Sequence, residues 1–324
     1  MGNSRKSNSV EYIRKQVGRF LDRHRSPELP LIIAYSGGLD SSVLLDAIAV
    51  CNPDKPLRLA AVHFHHGLSP NADDWATHCR DTCAAYSIPL DVAYLHVPAD
   101  SGYGIEAAAR RERYAAMNGY PACQVALGHH ATDQAETVLM NLFRGSGTLG
   151  LSGMQAINGR YMRPLLDVGR ETLVAYAQAA RLRWIEDESN ADPRFTRNYI
   201  RHSVLPVVQK RFPAMELRLA SSARHSAHAQ RLLDELAEID SIGHGLEFPF
   251  PLAVIRALSE DRAANLLRAL LTHALLQCPP ATRLTEFVRQ LKSAGLDRHP
   301  ELRLGTCRIH YRKGYLQVGE ISGA

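Results

Sequence analysis

"AYSGGLDSS", residues 34–42, joins an apolar run to a helical pattern, and the fold turns on what this joint is. The run before it, "LPLIIAY" (29–35), is continuous rather than alternating, as in a strand buried on both faces. Ser41 to Val50 then follow a helical pattern. A strand, a glycine turn and a helix in that order aim backbone N–H groups and the positive end of a helix at an anion. In the loop Ser36-Gly37-Gly38-Leu39-Asp40-Ser41 the two glycines let the backbone approach closely, while Ser36, Ser41 and the following Ser42 offer hydroxyl donors. A Walker A loop is excluded because the stretch has no lysine, and the Gly-x-Gly-x-x-Gly fingerprint of dinucleotide-binding folds is absent. Asp40 is the unusual member, since a carboxylate beside a phosphate is repulsive unless a cation mediates, and Mg2+ is the simplest mediator. The plainer alternative is a capped turn with Asp40 or Ser41 at the helix N-terminus.

Outward from this joint the chain alternates. "LRLAAVHF" reads as a strand, Ala72 to Tyr86 as a helix, "LDVAYLHV" as a strand and Ile105 to Met117 as a helix; "CQVALGHH" then reads as a strand and Asp133 to Phe143 as a helix. Apolar strands separated by helices predict an α/β fold, a doubly wound parallel sheet covered on both faces. Two glycine-rich connectors (144–154 and 156–165) lead to a helix from about Gly169 to Ala180. "RWIEDESNADPRFTRNYIRHSVLP" (183–206) follows, too charged for a core strand, and reads as a surface loop entering a short helix. Helices near 214–239 and 260–277 and the hairpin-like "ELRLGTCRIHYRKGYLQVGE" predict a second, smaller α+β domain. The expected division is 1–214 and 215–324.

The bulk properties narrow the class without deciding it. A chain of 324 residues exceeds a single average domain of roughly 150 residues. With 45% hydrophobic and 22% charged residues it can fill a sizeable core. No apolar run reaches the roughly 18 residues that cross a bilayer, and the start lacks the apolar stretch of a signal peptide, so a cytoplasmic protein without membrane contact is expected. Six scattered cysteines without a Cys-x-x-Cys pair indicate reduced thiols rather than a disulfide framework. The grouping of His63, His65, His66, His78, Cys79 and Cys83 lacks a closed four-ligand spacing, so no metal site is assigned to it. The net charge of +5 permits a polyanionic partner, and residues 1–28 form a basic amphipathic helix whose simplest use is as a solvated outer face.

"SGGLDS" resembles the loop of the ATP pyrophosphatases, which bind the pyrophosphate part of ATP and transfer AMP to an oxygen. Further stretches, "AVHFHHGLSPNADDWATHC" (61–79), "GIEAAARRERY" (104–114), "LGHHATDQAETVLMNLFRGSGTLGLSGM" (127–154), "RPLL" (163–166) and "WIEDESNADPRFTRNYIRHSVLP" (184–206), together resemble the tRNA(Ile)-lysidine synthases. The resemblance runs in order through about residues 30 to 215. It implies attachment of free L-lysine to C2 of the wobble cytidine in the CAU anticodon of an isoleucine tRNA, with ATP as co-substrate and Mg2+ as helper, changing codon reading from AUG to AUA.

Under that reading the cytidine oxygen must be adenylated before lysine can displace it. The chain must then neutralise the α-phosphate, orient the lysine and accept its protons. Asp40, His129, Glu136 and Arg197 are the candidate catalytic residues. His129, at the end of the fourth strand, can donate to the α-phosphate or act in proton transfer. Asp133 and Glu136, three apart, share a helical face: Glu136 suits the lysine ammonium or a proton, Asp133 magnesium or ATP. Arg197, the match of the family's functional arginine, and Arg201 share a face and could reach a phosphate of ATP or tRNA. Arg110 and Arg113 are candidates for tRNA backbone contact. The sequence departs from the family at Thr132, where an acid is usual. It also has one small C-terminal domain where longer members carry another, which points to simpler recognition of the tRNA or to help from a second copy in a homodimer. A tRNA thiolase is the nearest rival and would need paired cysteines; a tRNA-binding protein without catalysis would not need Asp40 or Glu136.

Overall fold

Four apolar segments become parallel strands because each is followed by a helix long enough to carry the chain back across the sheet. The computed structural model describes residues 2–51, 58–97, 105–187, 195–293, 295 and 300–321. Of the charged stretch 183–206, residues 188–194 lie outside the described residues. Two compact units emerge, Met1–Ala227 and His228–Ala324, the division falling within one helix, Met215–Asp240.

The first unit contains α1 (Gly2–His24), β1 (Leu31–Ala34), α2 (Leu39–Val50), β2 (Leu59–His65), α3 (Ala72–Ala85), β3 (Leu90–Tyr94), α4 (Ile105–Asn118), β4 (Gln124–Ala126) and α5 (Ala131–Phe143). There follow α6 (Thr148–Leu151), β5 (Ile157–Asn158), β6 (Tyr161–Met162), α7 (Arg170–Ala179), α8 (Thr196–Tyr199), a π turn (Ile200–Val204), α9 (Leu205–Arg211) and the start of α10 (Met215–Asp240). The sheet order is β3-β2-β1-β4-β6-β5, parallel throughout except for the β5–β6 pair. The chain runs outward from β1 to β3, then returns to place β4 on the other side of β1. The ends of β1 and β4 therefore flank a topological switch point, where open α/β sheets bind their ligands.

Strand periodicity distributes the core. Leu31 and Ile33 point to one face with Ile13, Val17 and Leu21 of α1, Val43 and Leu44 of α2 and Leu173 of α7. Ile32 points to the other, with Val62, Phe64, Met117 and Val125. Burying each such side chain contributes about 1.5–3 kcal/mol, which is why these strands read as continuous apolar runs. The basic helix α1 is thus anchored by its apolar stripe, and its Arg14 reaches Asp46 of α2 (3.3 Å), a buried carboxylate that also accepts from Tyr86 (2.6 Å) and Tyr176.

The strand expected over "CQVALGHH" ends early, at Ala126. Its pairing with Ile33 of β1 and Met162 of β6 runs out there, and His130 instead caps α5, accepting from the Thr132 amide at Nδ1 (3.2 Å), while Asp133 accepts from the His130 amide (3.0 Å). The second unit holds β7 (Phe250–Pro251), α11 (Leu252–Ala257), α12 (Glu260–His273), α13 (Ala281–Ser293), β8 (Glu301–Leu304), β9 (Cys307–Arg312) and β10 (Tyr315–Glu320), with an antiparallel sheet ordered β7-β10-β9-β8. Lys313 and Gly314 both take positive φ (48° and 87°), the tight two-residue turn that matches strand twist. The helix expected to reach 277 stops at His273, and α13 was not foreseen. Among the described residues no helix is long and apolar enough to cross a membrane.

Candidate active site at the switch point

The glycine loop closes on itself through its serines. Ser41 Oγ accepts from the Ser36 amide (3.2 Å), lies 3.0 Å from Ser36 Oγ and donates to the Gly38 carbonyl (3.1 Å). Gly37 sits at φ +81°, and a Cβ there would lie 2.7 Å from Ile185 and 3.0 Å from the Cys79 sulfur. Ile185, from the "WIED" stretch, also donates its amide to the Gly37 carbonyl (2.9 Å). Gly128, just beyond β4, packs on the backbone of Asp40 and Ser41, where a Cβ would come within 3.1–3.3 Å. The first helical bond of α2 runs from Ser42 to Gly38, so the amides of Leu39, Asp40 and Ser41 lack intrahelical acceptors. Gly38 provides no side-chain cap for them. The loop thus has the geometry of an anion cradle at the switch point.

From this cradle a polar network runs inward. His130, fully buried, places Nε2 3.4 Å from Asp40 Oδ2 and 3.5 Å from Asp133 Oδ2. Because Nδ1 accepts from Thr132, the neutral ring carries its proton at Nε2, between the two carboxylates. Burial disfavours the charged ring, but Asp133 and Asp40 outweigh it and raise the His130 pKa. Burial likewise opposes ionisation of Asp133, yet His130 and Arg197 hold its carboxyl well below the usual range. Asp133 Oδ1 takes Arg197 (2.8 Å) and Arg201 (3.2 Å). Glu136, fully buried, accepts Nε of Arg197 and Nε of Arg201, each at 2.6 Å. The four-residue spacing of the arginines, across α8 into the π turn, brings both to the acidic face of α5.

On the other side His129 is half-buried, and its Nδ1 accepts from Arg163 Nε (3.2 Å). Burial first, then the cations Arg163, Arg197 and Arg110, push its pKa down to about 3 despite Asp133. Arg110 of α4 lies exposed over the Tyr114 ring (5.2 Å). Arg113 instead meets His66 (3.4 Å), whose pKa burial and this arginine push down to about 4.

The structure therefore gathers Ser36, Gly37, Gly38, Leu39, Asp40, Ser41, Asp133, Glu136, Arg197 and Arg201 into one network, with His129 and Arg110 beside it and Arg113 turned to His66. Sequence reasoning missed His130 and Arg163. The paired histidines and the "RPLL" stretch were signals, but neither tells which ring bridges the acids or whom the arginine meets. At the unusual Thr132 the hydroxyl donates to Glu216 of α10 (3.2 Å), so a carboxylate arrives from elsewhere in the chain. Within the histidine and cysteine grouping, His63 Nδ1 donates to the Tyr35 carbonyl (3.0 Å) and lies 3.4 Å from Cys79, and His65 pairs with Asp73 (3.0 Å).

Fold and cradle define a nucleotide-binding domain of the PP-loop class, and residues 10–208 match the family model described as PP-loop domain. Residues 250–317 match the TilS substrate binding domain. Among curated proteins the chain is 48% identical over 275 residues to the tRNA(Ile)-lysidine synthase of Azoarcus sp., covering 83% of this chain and 61% of that protein. It is 40% identical over 295 residues to that of Aromatoleum aromaticum, covering 90% and 70%. The chain belongs to the tRNA(Ile)-lysidine synthase family. It spans about 60% of the length of several curated relatives it matches. Among solved structures, the U34-tRNA thiolase NcsA from Methanococcus maripaludis shares the fold: TM-score 0.56, 16% identity, 68% of this chain and 81% of that one.

Proposed function

We propose that this protein joins free L-lysine to C2 of the wobble cytidine in the CAU anticodon of an isoleucine tRNA, using ATP. The observation that carries this reading is the continuous network Asp40–His130–Asp133–Arg197/Arg201–Glu136, which ties the anion cradle to a buried acid and arginine cluster. Family membership supports the substrate class.

The cytidine O2 attacks the α-phosphorus and pyrophosphate leaves into the cradle of Ser36, Gly37, Gly38, Leu39, Asp40 and Ser41. The lysine ε-amine then attacks C2, AMP leaves with the oxygen, and the proton released from the amine passes to Glu136 or to water. Asp40 fits a cation there, since its Oδ1 is buried with no hydrogen-bond partner among the described residues. Mg2+ bound by Asp40 and the phosphates would neutralise charge on the departing pyrophosphate. His129 donates to the α-phosphate, and Arg197 and Arg201 balance the negative charge brought by ATP or tRNA. Holding the lysine ammonium at Glu136 requires one arginine to let go, because both carboxylate oxygens are engaged. Arg110, exposed on α4, suits a tRNA phosphate, and Arg113 acts through His66. Residues 215–324 supply tRNA binding in this reading, whether the chain works as a monomer or as a homodimer in the cytoplasm.

The test uses the protein with Mg2+, ATP, radiolabelled lysine and a CAU isoleucine tRNA transcript, with a methionine tRNA as control. Label stable to deacylation on the isoleucine tRNA alone, abolished in Asp40→Asn with tRNA affinity retained, supports the assignment. Pyrophosphate release without lysine incorporation would sink the acceptor chemistry. Binding should weaken with salt in proportion to the phosphates contacted.

A further inference from the structure

Arg163 is 5% exposed, and among the described residues no carboxylate pairs with it. A buried arginine without an acid is unusual, because the charge cannot be shed and its desolvation must be offset by hydrogen bonds. Its NH1 donates to the Gln155 carbonyl (2.7 Å) and its Nε to His129 Nδ1 (3.2 Å). The guanidinium has only donors to give. A proton on His129 Nδ1 would oppose N–H to N–H at hydrogen-bond distance beside a fixed positive charge, so the lone pair must face Arg163. The neutral ring then has one place left for its hydrogen, Nε2, which has no hydrogen-bond partner among the described residues.

We propose that Arg163 is a positioning residue that locks His129 as the Nε2–H tautomer, so that the ring meets a phosphate oxygen of ATP as a hydrogen-bond donor and not as a proton-transfer group. The proposal rests on the adenylating site described above and assigns a task within it. It decides between the two uses that the sequence left open for His129. The lock also explains the position of Arg163 in the fold. It lies directly after β6, the strand paired with β4, so the guanidinium approaches His129 from the neighbouring strand end. The low pKa of His129, set by burial and by the cations around it, agrees with this geometry.

Histidine-selective 15N labelling of the full chain tests the idea. His129 is assigned by difference against His129→Gln, and long-range 1H–15N spectra report which ring nitrogen carries hydrogen. The expected wild-type result is an unprotonated Nδ1 and a protonated Nε2. In Arg163→Met the two nitrogens should average between tautomers. Saturating ATP should shift the Nε2–H signal in the wild type. Pyrophosphate release with the CAU tRNA should fall on the order of tenfold or more in kcat in Arg163→Met, with KM for lysine unchanged. A wild-type His129 protonated at Nδ1, averaged, or indifferent to ATP overturns the proposal whatever becomes of the variants. If Arg163→Met fails to fold, Arg163→Gln removes the charge and offers an amide oxygen that can accept from Nδ1, so the lock should be lost, and a tautomer unchanged in it would also overturn the proposal. A locked wild-type ring that responds to ATP, in a protein that never modifies tRNA, would leave the Arg163 lock standing and remove the lysidine reading.

Discussion

Replacing Glu136 by Gln isolates the question of what that carboxylate does. Glu136 is completely buried and accepts three N–H bonds, from Nε of Arg197 (2.6 Å), Nε of Arg201 (2.6 Å) and NH2 of Arg201 (3.1 Å). In Glu136→Gln the amide oxygen keeps part of this set, but the amide NH2 faces a guanidinium donor and the negative charge is gone. Breaking a buried pair from one side costs about 3–5 kcal/mol, and each charge-assisted bond accounts for about 1.5–3 kcal/mol. Asp133 still faces both arginines and cushions the loss, so about 3 kcal/mol is expected. For a unit of this size that lowers Tm by roughly 6–12 °C at about 2–4 °C per kcal/mol. The assay is built into the sequence: both tryptophans, Trp75 and Trp184, lie in the first unit, so intrinsic fluorescence during heating reports that unit. A Tm shift below about 2 °C, with catalysis lost, would refute the argument and show that Glu136 acts on substrate rather than as the anchor of the two arginines.

Three other outcomes follow from the same geometry. Gly128→Ala drives a Cβ within 3.1–3.3 Å of the Asp40 and Ser41 backbone; equilibrium ATP binding should weaken by about tenfold, and stability should fall by about 1–3 kcal/mol through overpacking. The first unit should lose stability as pH falls from 7 to 5. His129 and His66 are held to pKa values of about 3 and about 4, so the unfolded chain takes up protons that the folded one refuses. His129 contributes a loss of about 2 kcal/mol at pH 5, His66, more open to solvent screening, a smaller one, and His130, with its raised pKa, works in the opposite direction; a flat profile by denaturant titration would contradict these environments. Cys79 and Cys83, whose thiols burial pushes up to about 12 and about 11, should resist alkylation at pH 8 in the native protein, while Cys278 and Cys307 react; peptide mass spectrometry reads this directly.

The α/β alternation was legible because each buried strand announces itself as an apolar run and each helix by its spacing. The strand, glycine turn and helix at residues 34–42 were legible because they follow one another directly in the chain, although a plain capped turn reads the same way. Strand ends were less so: "CQVALGHH" is apolar enough for a longer strand, but its pairing with β1 and β6 runs out at Ala126, and His130 is taken up in capping α5. The placement of Arg197 and Arg201 on one face was read correctly from their spacing, yet their partners, 61 to 68 residues earlier, were not.

By itself the sequence determined the class of fold, the strand-to-helix glycine loop and its carboxylate, and the residues from which a site could be built, since these depend on interactions within a turn or two of chain. Only the tertiary structure decided how that site is wired: that His130 bridges Asp40 to Asp133, that Glu136 is spent on two arginines, and that Arg163 holds His129. Those pairings form where the ends of β1, β4 and β6 meet, and contacts across a sheet edge leave no periodicity in the chain that supplies them.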